Sequence, residues 1–304
     1  MRHFSEDQVR KAVDIDGVIA AIRSAFTRGF ATVRMPVRTV LSLDGAVLLI
    51  MPCYDSAINA AGVKLVSVSA KAGVQATYEL LDPATGICVA RMEANYLTDL
   101  RTAATSAVAT DLLARKDVHT LGVFGCGRQA AAHIAVLPRV RDFQRFLVCG
   151  SKLSNVNAFC AKMKKAHGLH VEPADAATVV RESDVLCTCT TSHEPLFDGR
   201  LVREGAHLNL VGAFQPHTRE VDDATVRRSH VVVDTYEGAL AEAGDLLIPL
   251  RTGAISRFHI AADLHEIAAG EKSGRSSADE ITLFESVGCA LEDLVTAGLI
   301  AASN

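Results

Sequence analysis

Residues 120–137 read TLGVFGCGRQAAAHIAVL, and this stretch decides the fold of the region around it. The apolar run LGVF leads into the glycine turn Gly125-Cys126-Gly127, and a helix of small residues follows. A strand, Gly-x-Gly-x-x-Ala ending at Ala130, and a helix together fit the fingerprint of a dinucleotide-binding turn. Such glycines permit close approach of a pyrophosphate, and the helix N-terminus offers free N–H groups to it. The alternative is a glycine turn with a structural role alone.

The chain after residue 120 alternates apolar strands with helical segments. The strands are LGVF, RFLVCG, VEPA, DVLCTCT, HLNLVG and HVVVDT. Unbroken Val- and Leu-rich strands separated by helices predict a parallel sheet covered on both faces, which is the doubly wound Rossmann-type α/β fold. The closing segment ITLFESVGCALEDLVTAGLI, residues 281–300, is expected to be a final helix.

The first third of the chain has a different pattern. Residues 5–30 have helical spacing, and short β-rich runs separated by turn residues follow: RTVLSL, AVLLIMP, GVKLVSVS, QATYELLD and ICVARM. This pattern predicts an antiparallel sheet, followed by a helix of small residues over 98–113. An α+β domain is therefore expected ahead of the Rossmann-type domain.

The overall composition is that of a soluble globular protein with room for two domains. The chain has 304 residues, of which 49% are hydrophobic and 22% charged, with a formal net charge of −4. No apolar run approaches the ~18 residues that a membrane span needs. The N-terminus, MRHFSEDQVRKAV, is charged where a signal peptide would be apolar. We expect a cytoplasmic protein that binds neither membranes nor, given its negative charge, nucleic acid.

The cysteines and histidines do not indicate a metal site. Most of the eight cysteines lie in apolar runs, as is typical of reduced core residues. Cys187 and Cys189 have no partner at a zinc spacing. His167 and His170 flank the end of the lysine-rich segment AKMKKAHGLH, which is typical of a solvated helix end.

The strand after the fingerprint bears on the choice of dinucleotide. An NAD enzyme usually has Asp or Glu at the end of this strand, where it binds the 2′-hydroxyl of the adenosine ribose. Here the strand RFLVC is followed by Gly150-Ser151-Lys152. A hydroxyl and an ammonium suit a 2′-phosphate, so NADP(H) is favoured over NAD(H). The alternative is that Lys152 is solvated and that either cofactor binds.

Three cations precede the fingerprint. Lys64 shares a strand face with Val66 and Val68, Arg101 lies early in a helix of small residues, and Arg38 opens the strand RTVLSL. Each alone is typical of a surface or ion-paired residue. Together they could clamp a carboxylate, since arginine binds one bidentately and a partly buried lysine can transfer a proton.

The chain resembles the ornithine cyclodeaminase/mu-crystallin family. The resemblance rests on LRTAATSAVA (100–109), GCGRQA (125–130), TTSHEPLFDG (190–199), GAHLNLVGAFQPHTRE (205–220) and ITLFESVGCALEDL (281–294). It implies a homodimer with a discontinuous substrate-binding and dimerisation domain, residues 1–113 with 284–304, and a Rossmann domain over 114–283.

The resemblance also implies roles for individual residues. Lys64 and Arg101 would be catalytic. The substrate would be bound by Arg38, Lys64, Arg101, Phe214 and Val287. The cofactor would be bound by Thr102, Gly125, Gly127, Arg128, Gln129, Ser151, Lys152, Thr190 and Ser286.

Two positions depart from ornithine cyclodeaminases. Where such enzymes carry an Asp after the fifth Rossmann strand, this chain has Phe214, and where they carry a Glu two residues before Met-Pro, it has Leu49. An acidic pair is the natural holder of ornithine's distal ammonium, and burial of an unpaired ammonium is costly. The substitutions predict an apolar spot that suits an apolar or cyclic side chain.

The expected activity is therefore NAD(P)H-dependent reduction of a cyclic ketimine carboxylate, of the 1-pyrroline-2-carboxylate or 1-piperideine-2-carboxylate type. Ornithine cyclodeamination to proline and ammonia stays as an alternative, with other groups replacing the absent acids. An amino-acid dehydrogenase or a non-catalytic NADPH-binding protein is the second alternative.

Overall fold

The computed structural model describes residues 1–303 and contains two compact units. Unit 1 comprises Met1–Thr105 together with the described residues from Gly288 onward, and unit 2 comprises Ser106–Val287. The resemblance implied joints at 113/114 and 283/284. The compact units instead divide at 105/106, which is earlier, and at 287/288, which is later and keeps residues 284 and 285 with their strand of the unit 2 sheet.

Unit 1 is built on a largely antiparallel sheet, which has seven strands within residues 1–303. Its order is β1-β7-β6-β5-β4-β2, with β3 also paired to β4 and with β1 parallel to β7. The strands are β1 (Arg2–Phe4), β2 (Val33–Arg34), β3 (Thr39–Ser42), β4 (Ala46–Asp55), β5 (Ala60–Ser69), β6 (Gly73–Leu81) and β7 (Cys88–Glu93). The sequence predicted β3 to β7 and missed the two shortest strands.

The helices that accompany this sheet are α1 (Glu6–Ala12), α2 (Ile15–Arg28), α3 (Asn95–Leu113), in which the first joint falls, and α11 (Ala290–Ala302). Burial along β4, β5 and β6 alternates with a period of two, so each strand turns one row of side chains inward. Helix α11 packs on β4, β5 and β6 and against α2. The inward row of β5 includes Lys64, a charged residue that a purely apolar core would not contain.

Unit 2 contains a sheet in which every strand pair is parallel, with eight strands in the described part of the chain. Its order is β10-β9-β8-β11-β12-β15-β13-β14. The strands are β8 (Thr120–Phe124), β9 (Arg145–Cys149), β10 (Val171–Pro173), β11 (Val185–Thr188), β12 (His207–Leu210), β13 (Ser229–Val233), β14 (Ile260–Asp263) and β15 (Ile281–Glu285). The doubly wound α/β fold class expected from the sequence is confirmed.

Most connections of unit 2 contain α-helices, and the one from β11 to β12 is a loop with a short 3-10 helix at Gly199–Leu201. The helices are α4 (Arg128–Val136), α5 (Leu153–His167), α6 (Ala176–Glu182), α7 (Asp223–Arg228), α8 (Tyr236–Glu242), α9 (Gly244–Thr252) and α10 (Leu264–Ala268). The chain passes from β8 outward through β9 to β10 and then returns to place β11 on the other side of β8. The carboxyl ends of β8 and β11 therefore form a topological switch point, where ligands of open α/β sheets bind.

The expected final helix over 281–300 was partly wrong. Residues 281–285 form β15, which lies between β12 and β13, and helix α11 begins only at Ala290. All five residues of β15 are buried, so this short apolar run has no alternation that distinguishes a central strand from a buried helix.

Among residues 1–303, none of the helices combines the length and the apolar character that crossing a bilayer requires.

Candidate active site

The cations predicted from the sequence lie in unit 1, and two of them are buried ion-pair partners of α11. Lys64 on β5 and Arg101 in α3 are 1% and 5% exposed. The Lys64 ammonium donates to the Asp293 carboxylate at 2.8 Å. Arg101 places Nη1 2.6 Å from Glu292 Oε2 and Nε 3.0 Å from Asp293 Oδ1. Asp293 thus joins the two cations.

Arg38 contacts the segment that leads into α11. Its Nη2 donates to the carbonyl oxygen of Gly288 at 3.0 Å. Gly288 has φ +81°, and a Cβ at this position would collide with Arg101 Nη1. The close approach and the left-handed backbone both require glycine here, so Gly288 brings the two arginines to one short segment.

Burial makes the Lys64 ammonium acidic. It lowers the pKa of Lys64 from the usual 10.5 to about 8, and the positive charges of Arg101 and Arg38 act in the same direction. The Asp293 carboxylate opposes them by favouring the charged form. At neutral pH Lys64 is therefore protonated but close to the range in which a general acid releases its proton.

The net charge of this cluster is smaller than the sequence suggested. The cluster contains the cations Arg38, Lys64 and Arg101 and the carboxylates Glu292 and Asp293. These five groups together carry one positive charge. A single negative group, such as one substrate carboxylate, would balance them.

Unit 2 has a cavity of about 870 Å³ at the switch point of its sheet. It is lined by the turn from Gly125 to Gly127, by Gly150 and Ser151 after β9, and by residues 190–192 after β11. Its volume falls in the range of cofactor pockets, roughly 300–1,000 Å³.

The two glycines of the turn serve different purposes. Gly125 has φ +112°, and a Cβ there would lie 2.5 Å from the carbonyl oxygen of Cys189, so the fold itself needs this glycine. Gly127 has φ −91°, and nothing lies within 4 Å of a Cβ built on it. The space in front of Gly127, at the N-terminus of α4, fits a pyrophosphate group.

Buried carboxylates organise the loops at the carboxyl edge of this sheet. Glu220 accepts hydrogen bonds from Thr190 N at 2.7 Å, from Thr190 Oγ1 at 2.6 Å and from Gly212 N at 2.7 Å. Asp245 accepts from the backbone N–H groups of Glu220 and Val221, both at 2.8 Å. The Glu220 carboxylate therefore holds the loop that carries Thr190 into the cavity, and Asp245 holds the backbone at Glu220.

Burial raises the pKa of each of these acids. The pKa of Glu220 is raised by burial, and that of Asp245 reaches about 7 through burial and the charge of Glu220. Burial and the charge of Asp245 raise the pKa of Glu285 at the end of β15 well above its usual value. In each case burial disfavours the charged form of the carboxyl group.

The apolar contact with the substrate that the sequence assigns to Phe214 stays a prediction. Phe214 is half-buried and packs on the apolar core of unit 2, as expected for an aromatic side chain. The loop that contains it, however, is closed from within by Glu220 and Asp245, which are both 0% exposed. These acids bind backbone N–H groups and are sealed from solvent, so a free substrate ammonium would not meet them.

The predicted cofactor residues separate into two groups. Within residues 1–303 the cavity lining includes Gly125, Gly127, Ser151 and Thr190 and does not include Lys152, Arg128, Gln129 or Ser286. Lys152 is exposed and immediately precedes α5. The roles that the resemblance gives to these residues stay predictions.

The remaining predicted residues lie as follows. Arg128 and Gln129 open α4, and the hydroxyl of Ser286 donates to Asp234 at 3.3 Å. Thr102 is buried on α3 in unit 1, and Val287 packs in the core of unit 2. Their roles toward substrate or cofactor also stay predictions.

Sequence reasoning missed two sets of residues. The partners of the cations, Glu292 and Asp293, are adjacent acids at the start of an otherwise apolar helix, and that pattern was the available signal. Asn155 and Lys162 on α5 line the unit 2 cavity, although the lysine-rich run that contains Lys162 suggested only a solvated helix.

The cysteines and the potential metal ligands of the described chain form neither disulfides nor a metal-binding group. Within residues 1–303 all cysteines are free, and no three His, Cys, Asp or Glu side chains are arranged to hold a metal ion.

The model of the ornithine cyclodeaminase/mu-crystallin family matches residues 4–303. The chain belongs to this family. Its sequence is 34% identical over 306 residues to a delta(1)-pyrroline-2-carboxylate reductase of Bacillus cereus, with 97% of this chain and 94% of that relative aligned. The family suspected from the sequence motifs is therefore confirmed.

Two solved structures of similar proteins cover the whole chain. The delta(1)-pyrroline-2-carboxylate reductase of Thermococcus litoralis, in complex with NADH and L-proline, has a TM-score of 0.96 and 37% identity and is covered over 97% of its length. An archaeal alanine dehydrogenase dimer with bound NAD has a TM-score of 0.93 and 30% identity and is covered over 95%.

The contrast between Gly125 and Gly127 gives a matched pair of variants. Gly125→Ala should lower the free energy of unfolding by about 1–3 kcal/mol, since it forces an L-residue into a strained backbone beside the Cys189 carbonyl. Gly127→Ala should unfold at the same temperature as the unmodified protein but bind NADH and NADPH at least about tenfold more weakly.

Thermal unfolding and fluorescence titration of the reduced dinucleotides measure the two effects. Unimpaired binding by Gly127→Ala would contradict the assignment of this turn to the pyrophosphate.

Proposed function

We propose that this family member is an NAD(P)H-dependent reductase that converts a cyclic ketimine carboxylate into the corresponding cyclic amino acid. The substrate is of the 1-pyrroline-2-carboxylate or 1-piperideine-2-carboxylate type. The observation that carries the proposal is the cluster formed by the buried Lys64 and Arg101 and the half-buried Arg38 with two carboxylates. Its net charge matches one substrate carboxylate. Similar proteins bear the name delta(1)-pyrroline-2-carboxylate reductase.

In this proposal the arginines bind the carboxylate. The ion pairs of Arg101 use Nη1 and Nε, so Nη2 is the group that would reach a ligand. Arg38 adds a second guanidinium, and two such groups hold a carboxylate in a fixed plane. Gly288 maintains the spacing, because any side chain there would displace Arg101.

Lys64 would supply the proton. Reduction of a ketimine adds a hydride to the imine carbon and a proton to the nitrogen, and the C=N bond becomes a C–N bond. A reduced nicotinamide dinucleotide, when bound, supplies the hydride. Lys64 Nζ orients the imine nitrogen and gives up its proton there, and Asp293 holds the ammonium in place before the transfer.

The unit 2 cavity would bind the dinucleotide, with NADP(H) preferred and NAD(H) possible. The support is the sequence that follows β9. Gly150 and Ser151 stand there, at the place where an acidic residue would select the 2′-hydroxyl of NAD. Thr102, Arg128, Gln129 and Ser286 are proposed to complete the contacts with the cofactor.

The function is tested by giving the purified protein NADPH and 1-pyrroline-2-carboxylate. NADPH absorbance should fall and proline should form. Lys64→Ala should lower kcat by about 100-fold or more, the size of a lost general acid, while NADPH binding is retained. Lys64→Met, which keeps the length of the apolar stem, serves as a second variant if alanine impairs folding.

Other outcomes select other activities. Proline and ammonia formed from ornithine would indicate the cyclodeaminase, and NAD(P)-linked oxidation of acyclic amino acids alone would indicate a dehydrogenase. Saturable NADPH binding without turnover of any of these substrates would indicate a non-catalytic binding protein. Full ketimine reduction by Lys64→Ala would refute the role of Lys64.

The pKa of Lys64 predicts the pH dependence of the reaction. Since Lys64 donates as an ammonium, kcat/KM for reduction should fall as pH rises above about 8. Asp293→Asn removes the carboxylate that favours the charged form, so this decline should move to lower pH.

Glu292→Gln is the matched control. Glu292 pairs with Arg101 and not with Lys64, so its loss should reduce substrate affinity without moving the pH of the decline. An unshifted profile in Asp293→Asn would count against proton donation by Lys64.

We also propose that the protein is a homodimer through the outer face of the unit 1 sheet. Ile50 lies opposite Leu65, and Pro52 opposite Val63, on the half-buried face away from the row of Lys64. The alanine dehydrogenase with the same fold is a dimer.

Sedimentation equilibrium should give twice the mass of one chain for the unmodified protein, and the mass of a single chain for Leu65→Asp. A monomer of the unmodified protein would exclude this interface.

A further inference from the structure

One face of α5 contributes to the dinucleotide cavity. Asn155, Ala158, Phe159 and Lys162 all line it, and they are spaced by three, four and seven residues. This spacing places them on a single helix face, one turn above another. The side chain of Phe159 is buried at the centre of this face, and Lys162 is exposed at its far end.

Lys162 is electrostatically distinct within the cavity. Among the lining residues, all within the described 1–303, it is the one that carries a charged side chain, and none of the others is acidic. The neighbouring lysines of the same helix, Lys164 and Lys165, do not belong to the lining. A ligand in this cavity therefore meets a lysine ammonium with no carboxylate in the lining to balance it.

The location of this face indicates which part of a dinucleotide it meets. Ser151, which follows β9, lines the same cavity, and the end of this strand is where the adenosine ribose of a dinucleotide lies. NADP(H) differs from NAD(H) only by a phosphate on the 2′-oxygen of that ribose. A hydroxyl, an amide and an ammonium are groups that bind a phosphate.

We propose that Lys162, together with Ser151 and Asn155, binds the 2′-phosphate of NADP(H) and so determines the cofactor preference. The proposal rests on the dinucleotide role assigned above to the unit 2 cavity. It replaces Lys152, the cation that the sequence suggested for this task, with a lysine ten residues farther along the chain. Lys152 precedes the helix and lies outside the lining.

Binding measurements test this without recourse to turnover. Calorimetric titrations of the full-length protein with NADPH, NADH, 2′,5′-ADP and 5′-AMP separate the 2′-phosphate from the rest of the cofactor. Lys162→Gln should bind NADPH and 2′,5′-ADP at least about tenfold more weakly and bind NADH and 5′-AMP unchanged. The NADPH affinity should also become less sensitive to added salt, because one charge contact is lost.

Matched variants complete the experiment. Lys164→Gln removes the same charge from an exposed position outside the lining and should leave the NADPH affinity within about twofold. Lys152→Gln tests the competing lysine, and the proposal expects it to weaken NADPH binding less than Lys162→Gln does. All three lysines are exposed, so their substitution should leave the unfolding temperature unchanged.

Several results would overturn the proposal. Equal weakening of NADH and NADPH in Lys162→Gln would assign Lys162 to the pyrophosphate instead. An unchanged NADPH affinity in Lys162→Gln would exclude Lys162 as a ligand of the 2′-phosphate. A selective loss of NADPH affinity in Lys152→Gln alone would exclude it as well. Failure of the unmodified protein to bind either dinucleotide would reject the proposed function itself, and absence of ketimine reduction alone would leave this binding result intact.

Discussion

The buried ion pairs between α11 and the cations of unit 1 are the constraint on which this unit depends. Lys64 and Arg101 could not lie inside a protein without nearby negative charge, because an isolated buried cation costs several kcal/mol. Asp293 serves both of them, and Glu292 serves Arg101. Helix α11 is therefore a source of counter-charge as well as an apolar cover for the sheet. Its position fixes where the Lys64 ammonium and the Arg101 guanidinium point.

Unit 2 handles its buried charges in a different way. Asp245 accepts hydrogen bonds from the backbone N–H groups of Glu220 and Val221 and has no ion pair with a cation among those described. Glu220 in turn binds Thr190 and Gly212. Unit 1 thus pairs buried cations with the carboxylates of α11, and unit 2 uses Glu220 and Asp245 as internal connectors of the loops around a cavity.

The sequence predicted those features of the structure that depend on residues close together along the chain. The glycine turn, the alternating strands and the face of Lys64 depend on neighbours within a few residues, and the pattern showed them. The partners of Lys64 and Arg101 lie 229 and 191 residues away along the chain, so no local pattern could join them.

Two errors have the same physical origin. Strand β15 is short and fully buried, and such a run has no periodicity to separate it from the helix that follows. Lys162 lies in a lysine-rich segment of α5, and only the helical geometry shows which of these lysines faces the cavity. In both cases composition gave the right kind of residue, and three-dimensional packing decided its role.

The placement of Glu292 and Asp293 also imposes an order on the assembly of the chain during synthesis. The sheet of unit 1 emerges from the ribosome first, but the counter-ions for Lys64 and Arg101 follow only after all of unit 2 has been translated. Until then the two cations must stay hydrated, so the face that will be covered by α11 cannot close. Unit 2, whose residues are contiguous, can fold while the first unit waits, and a chain interrupted before residue 290 would keep an open, charged sheet that quality-control proteases can recognise.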